Sequence, residues 1–235
     1  MSSRKSAKLF TDAYSPLALL RFPMPSDADR IPDLYQRHAY AWDRERSRSL
    51  TEKPWLNKFL DLLPTKASIL DLGCGSAEPI ARYLIEQGHT ITGIDSSPSL
   101  IALCKDRFPD CEWIAADMRN LALDRHFNGI LAWDSFFHLS PADQRQMFPI
   151  FRHHAAPGAD LLFTSGPSHG EAISAYKDEP LYHGSLGEAE YRSLLEENGF
   201  DVVAHVVEDP DCDYHTIWLA ELNCAVGEQQ QTRFS

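Results

Sequence analysis

The run Ile69-Leu-Asp-Leu-Gly-Cys-Gly-Ser-Ala77 combines residue types that could hold a small ligand. Gly73 and Gly75 let the backbone turn sharply and let a ligand lie directly on it. Preceded by the apolar stretch from Ser68, the run reads as a strand entering a tight turn towards a helix. Such turns also occur without ligands, so Gly-x-Gly alone does not decide the matter. Its neighbours carry more. Glu78 stands where the third glycine of a dinucleotide fingerprint would be, which argues against NAD. Asp71 lies two residues before Gly73, and a buried carboxylate beside a glycine turn suits an ammonium group better than a phosphate.

Two further acids fall in register with this turn. Asp95, 24 positions after Asp71, ends Gly93-Ile-Asp and can accept hydrogen bonds from both hydroxyls of a ribose. Asp117, in Ala116-Asp-Met118, can accept from the exocyclic amine of an adenine, with Met118 against the ring.

The elements that must position these residues follow a regular rhythm. Short apolar strands are predicted at 68–72, 89–95, 112–115, 127–133 and 159–165. Helices are predicted between them, at 79–87, from Ser97-Pro98, and from Ser140-Pro-Ala-Asp143 towards His153, with Ser caps and Pro in the first turn. Alternation of this kind implies a doubly wound, mostly parallel α/β sheet that binds its ligand at the carboxyl ends of the strands. The rhythm loosens from Gly166 to Ser185, a helix follows at 187–198, and segments 200–207 and 216–222 can close the chain as an antiparallel pair. Asp209-Pro-Asp-Cys-Asp213 between them reads as a solvated turn, because Tyr214 stands where a calcium loop needs Gly. Residues 1–63 are expected to form an N-terminal arm and helical lid, with helices from Ile31 to Leu63, and residues 64–235 the ligand-binding domain.

The motifs resemble those of class I methyltransferases that use S-adenosylmethionine (SAM). Leu70-Asp-Leu-Gly-Cys-Gly-Ser-Ala is similar to their first motif, Gly93-Ile-Asp-Ser-Ser-Pro to the second, and Ala116-Asp-Met to the adenine motif. Ile130-Leu-Ala-Trp-Asp-Ser and Pro157-Gly158 before Leu161-Leu-Phe are similar to later segments, so the resemblance runs from about Lys66 to Leu222. It implies a Rossmann-like fold of seven strands and SAM as the cofactor. Asp71, Gly73, Cys74 and Gly75 would then line the methionine part, Asp95 and Ser96 the ribose, Asp117 and Met118 the adenine, and Trp133 the methyl group. Tyr35, Trp42 and Arg46 would cover the site from the N-terminal side. Fold alone carries the cofactor better than the acceptor.

Transfer from a sulfonium is an in-line displacement that needs alignment and exclusion of water, and for some acceptors a base. His138 and Asp134, in Trp133-Asp-Ser-Phe-Phe-His138, follow the fourth strand, and His169 and His183 follow the fifth; these four are the catalytic candidates. A histidine in such a place is more often a packing or surface residue, and proximity alone suffices for some transfers. His153 and His154 are adjacent on a helix and face different ways, so no metal is expected.

Composition narrows the partners. A net charge of −12 repels phosphate backbones, so no nucleic-acid partner is expected. No apolar run is long enough to cross a membrane, and Met1-Ser-Ser-Arg-Lys-Ser does not read as a secretory signal. The five cysteines read as reduced thiols of a cytoplasmic protein. The expectation is an enzyme that methylates O, N or S of a small molecule, as a monomer or homodimer. The alternatives are a protein or tRNA methyltransferase, or a SAM-binding protein that transfers nothing. Aromatic residues at Phe10, Tyr14, Phe22, Tyr176 and Tyr182 suit an apolar acceptor.

Overall fold

A computed structural model describes residues 26–223. Phe10, Tyr14, Phe22 and Cys224 lie outside that range. Two helices come first, α1 (Ile31–Glu45) and α2 (Lys53–Leu62). There follow β1 (Ser68–Leu72), α3 (Ile80–Glu86), β2 (Thr90–Asp95), α4 (Pro98–Arg107), β3 (Glu112–Ala115) and β4 (Phe127–Ala132). The second half holds α5 (Pro141–His154), β5 (Ala155–Ser165), β6 (Gly170–Tyr176), β7 (Glu179–Ser185), α6 (Glu188–Glu197), β8 (Phe200–Asp209) and β9 (His215–Leu222). The caps read from sequence form: Ser97 Oγ accepts from Leu100 N and Ser140 Oγ from Asp143 N.

Seven strands make one sheet in the order β3-β2-β1-β4-β5-β9-β8, with β9 antiparallel to both its neighbours. Strand order reverses between β1 and β4, so a crevice opens at their carboxyl ends. Alternate side chains of each central strand feed opposite layers. Leu70, Leu72, Phe163 and Trp218 meet Phe136, Phe148 and Phe151 on the side of α5 and α6. Ile69, Leu131 and Leu162 meet Trp55, Phe59 and Leu84 on the side of α2 and α3. Both faces of the sheet are covered, which is why its central strands are mostly apolar.

The stretch after β5 departs from its irregular sequence reading. β6 and β7 pair from Gly170↔Ser185 to Tyr176↔Glu179 as a separate two-stranded hairpin. Lys177 and Asp178 form its two-residue loop with φ of 54° and 62°. That is the backbone of a type I′ turn, usually marked by Asn-Gly, and without a glycine it left no signal. β5 is also longer than predicted, since Ala155 pairs with Phe127 ahead of Gly158.

Candidate functional site

The glycine turn sits at the head of the crevice. Gly73 and Cys74 N–H groups donate to Ile94 O at 2.7 and 3.0 Å, tying the loop after β1 to the end of β2. A Cβ on Gly73, at φ +79°, would stand 2.2 Å from Ser135 Cβ, and one on Gly75, at φ +57°, 2.6 Å from the Trp42 ring. The loop therefore needs glycine twice, for conformation and for space. Asp95 Oδ2 accepts from Gly75 N at 3.0 Å and Oδ1 from Ser97 N at 2.8 Å, so the ribose candidate is fixed to the loop it would serve with.

A cleft of about 730 Å³ runs along this edge. Met118, Asp117 and Ser96 line one end, Gly73, Gly75 and Asp95 the middle, and Tyr35, Trp42, Asp134 and His138 the other. A smaller lobe of about 340 Å³ continues it past Asp71, Cys74, Arg46 and Trp133. The structure thus brings the expected cofactor residues together along one continuous crevice. Asp71 is only 5 % exposed and, among the described residues, has no salt-bridge partner. Burial, and then the charge of Asp95, push its carboxyl up to about 7, while Arg46 works the other way. Burial pushes Asp95 up to about 6 against its two backbone N–H bonds. Two electrostatically strained acids facing a cleft suit a ligand that brings a cation and hydroxyl donors.

Helix α1 roofs the crevice. Trp42 lies edge-on to Tyr35 and carries the Arg46 guanidinium 5.0 Å above its ring. Arg46 Nε donates to Glu78 O at 3.0 Å. Asp43 takes both Arg107 nitrogens, at 2.8 and 2.6 Å, and Gln36 Oε1 accepts from Ser97 Oγ and Ser99 N, so α1 is fastened to α4. None of these clasps was read from sequence, because each joins positions about 60 residues apart.

The histidines separate. His138, 7 % exposed, has Nδ1 2.7 Å from Tyr182 O, which makes that nitrogen the donor; Nε2 then accepts from Tyr35 Oη at 3.0 Å. Burial pushes it down to about 4, so it is a neutral ring whose base nitrogen is already engaged by Tyr35. His183 stacks on Phe137 and, with His169, lines a different cavity between β5 and the hairpin, apart from the cofactor crevice. Tyr182 is buried with its hydroxyl on Glu171, and Tyr176 packs against His38 of α1. Asp117 is gripped by Arg119, which also reaches Asp29 and Asp143; this arginine was not anticipated. Nor is the acidic turn after β8 merely solvated, since Asp209 Oδ2 accepts from Trp55 Nε1 and Asp213 Oδ2 from Thr51 Oγ1, both at 2.7 Å.

The sequence model of the methyltransferase domain family matches residues 69–158, which span the glycine loop, the Asp95 strand end, Asp117 and the first residues of β5. Over these residues the chain is similar to methyltransferase domains, in keeping with its resemblance to the class I SAM-dependent family. A trans-aconitate 2-methyltransferase of Escherichia coli is 38 % identical over 116 residues, 45 % of this chain and 41 % of that protein. The chain therefore matches less than half the length of these curated relatives. Among solved structures, the 1,6-didemethyltoxoflavin-N1-methyltransferase of Burkholderia thailandensis superposes with a TM-score of 0.65 at 18 % identity, covering 86 % of this chain and 92 % of that one. An amino pentose methyltransferase from Micromonospora echinaspora gives 0.61 at 16 % identity over 79 % and 95 % of the two chains. At such identities these two attest the methyltransferase fold. No helix among the described residues is long and apolar enough to cross a membrane.

Proposed function

We propose that this protein binds SAM along the crevice and transfers its methyl group to O, N or S of a small-molecule acceptor. The observation that carries the reading is Asp71: a buried carboxylate without a salt-bridge partner among the described residues, beside a loop that tolerates no Cβ. It would take the ammonium of the methionine part, with Arg46 near the carboxylate. Asp95 would accept from the ribose hydroxyls, Ser96 would border them, and Asp117 and Met118 would frame the adenine. When bound, SAM supplies a methyl on a sulfonium, and its displacement leaves a neutral thioether. The protein's share is to exclude water under α1 and to hold the acceptor in line. Tyr35 and His138, hydrogen-bonded to each other, serve as wall and not as base. The buried thiols Cys74 and Cys104 beside the loop suit a reducing compartment, and the reading places the protein in the cytoplasm.

Calorimetric titration with SAM and S-adenosylhomocysteine (SAH), against NAD, tests this. Both SAM forms should bind, NAD should not, and Asp95→Ala should cost roughly 1.5–3 kcal/mol. Absence of SAM binding, or binding indifferent to Asp95, refutes the assignment.

A further inference from the structure

Asp134 is the residue common to the cofactor cleft, its lobe past Asp71, and a third cavity of about 360 Å³. Its backbone is strained, at φ 51°, and is held there by its N–H donating to Thr164 Oγ1 at 3.0 Å. Its Oδ1 accepts from His215 Nε2 at 2.8 Å, while His215 Nδ1 donates to Cys212 O, also at 2.8 Å. Both ring nitrogens are therefore donors and His215 is an imidazolium; the bond to Asp134 leads in pushing it up to about 9, against burial. Trp133, at the expected methyl position, has its ring centroid 5.4 Å from that of His215. β9 runs antiparallel to β5, so its first residue, His215, lies at the carboxyl edge of the parallel strands, where the crevice opens.

The third cavity faces three carboxylates, Asp134, Glu52 and Asp213, and two cations, Arg46 and His215. Glu52 is 6 % exposed, and its nearest cation, Arg46, stands 4.0 Å away. Of the two cations, His215 has no N–H left to offer an anion. Arg46 commits Nε to Glu78 O, lies 4.0 Å from both Glu52 and Asp134, and in the reading above serves the cofactor's carboxylate.

We propose that this cavity is the acceptor site, that Asp134 contacts the acceptor with His215 as its positioning residue, and that the acceptor presents an amine. This rests on the SAM reading above. A carboxylate acceptor would face three carboxylates, a like-charge arrangement that disfavours binding. An ammonium is drawn by the same groups. It gives one proton through Asp134 to solvent, and the freed nitrogen lone pair then forms the bond to the methyl carbon as the carbon–sulfur bond breaks. That electron pair stays on sulfur, and the product leaves as a methylated ammonium. His215 fixes Oδ1, leaving Oδ2 for the acceptor.

The test uses the full chain loaded with SAH and follows the His215 ring by 15N NMR, with 2-phenylethylamine and 3-phenylpropanoate as probes of matched shape and opposite charge. The amine should shift the His215 resonances saturably at millimolar concentration and the acid should not. Asp134→Asn, saturated with SAH, should weaken the amine at least tenfold, followed on the same ring. With the amine read by calorimetry, His215→Gln, which can still donate to Asp134, should hold its affinity within threefold, and His215→Leu should lose tenfold. Thermal melting with SAH checks that each variant is folded. The proposal is overturned if the acid shifts His215 as strongly as the amine, if neither probe shifts it, or if Asp134→Asn binds the amine normally. Failure of SAH to bind the unaltered chain is a separate outcome, which removes the SAM reading first.

Discussion

Asp71 meets two opposing demands: the cofactor reading needs it ionised, while burial and Asp95 hold a proton on it up to about pH 7. Below that pH the proton must leave before the carboxylate can pair with an ammonium. SAM affinity should therefore climb by up to about tenfold per pH unit from pH 5.5 towards 7 and level off above it. Asp71→Asn should flatten the profile and cost roughly 1.5–3 kcal/mol. Calorimetry across that range reads both, and a flat profile in the unaltered protein would take Asp71 out of the ammonium role. Gly75→Ala would set a Cβ into the Trp42 ring at a left-handed backbone position, so it should lower SAM affinity by roughly 1–3 kcal/mol. If Trp42→Ala in the same chain restores part of that loss, the clash and not the strain dominates. Asp71, Gly73, Gly75 and Asp95 could be read from sequence because a strand end and its turn are local, with the acid and the glycines within five positions. His215 could not, because its partner lies 81 residues away and only the order of strands joins them.

The elements that hold the roof depend on such distant pairs. Asp43 sits between Arg107 and Arg48, and the Arg107 bond leads in holding its carboxyl far below the ordinary range. An acid depressed in the folded state contributes its full stability above its unfolded pKa and loses it as pH falls through the folded one. Asp43→Asn should thus destabilise by roughly 2–3 kcal/mol at pH 7, an effect that shrinks steadily below about pH 4. Urea unfolding of both proteins at pH 7 and pH 3 checks the magnitude and the sign. The hairpin braces the other flank of α1, where Glu179 meets Arg37 and His38, and Glu45 meets Lys177. Its loop bends Lys177 and Asp178 into a conformation that costs ordinary residues about 1 kcal/mol each. Asp178→Gly should slow amide exchange across β6 and β7 about fivefold, since 1 kcal/mol corresponds to that factor. The main strands, helices and caps were legible because period and capping chemistry are written locally. The hairpin was not, because its turn uses neither glycine nor asparagine and most of β6 is exposed, leaving no apolar alternation to follow.

For the whole molecule, the acids at the site make cofactor binding and folding one linked equilibrium. Asp71 and Asp95, raised to about 7 and about 6, keep extra protons on the folded apo protein from about pH 4 upward. A group bound more tightly to protons in the native state lowers stability as pH rises through that window. Asp160, raised to about 7 by burial and by Glu221, contributes in the same direction, and His138, lowered to about 4, in the opposite one. Neither belongs to the proposed cofactor contacts, so both cancel when apo and SAH-bound proteins are compared at one pH. What remains is the relief that the ligand's ammonium and hydroxyls give Asp71 and Asp95. At fixed saturating SAH, the rise in melting temperature should grow from pH 5.5 to pH 7.5 by roughly 4–6 °C, for about 2 kcal/mol in a chain of this size. Asp71→Asn should remove most of that growth while leaving the apo fold intact. A melting increment that stays constant with pH would mean that the cofactor leaves the protons on both acids where they were, and that the crevice recognises it by shape and hydrogen bonds alone.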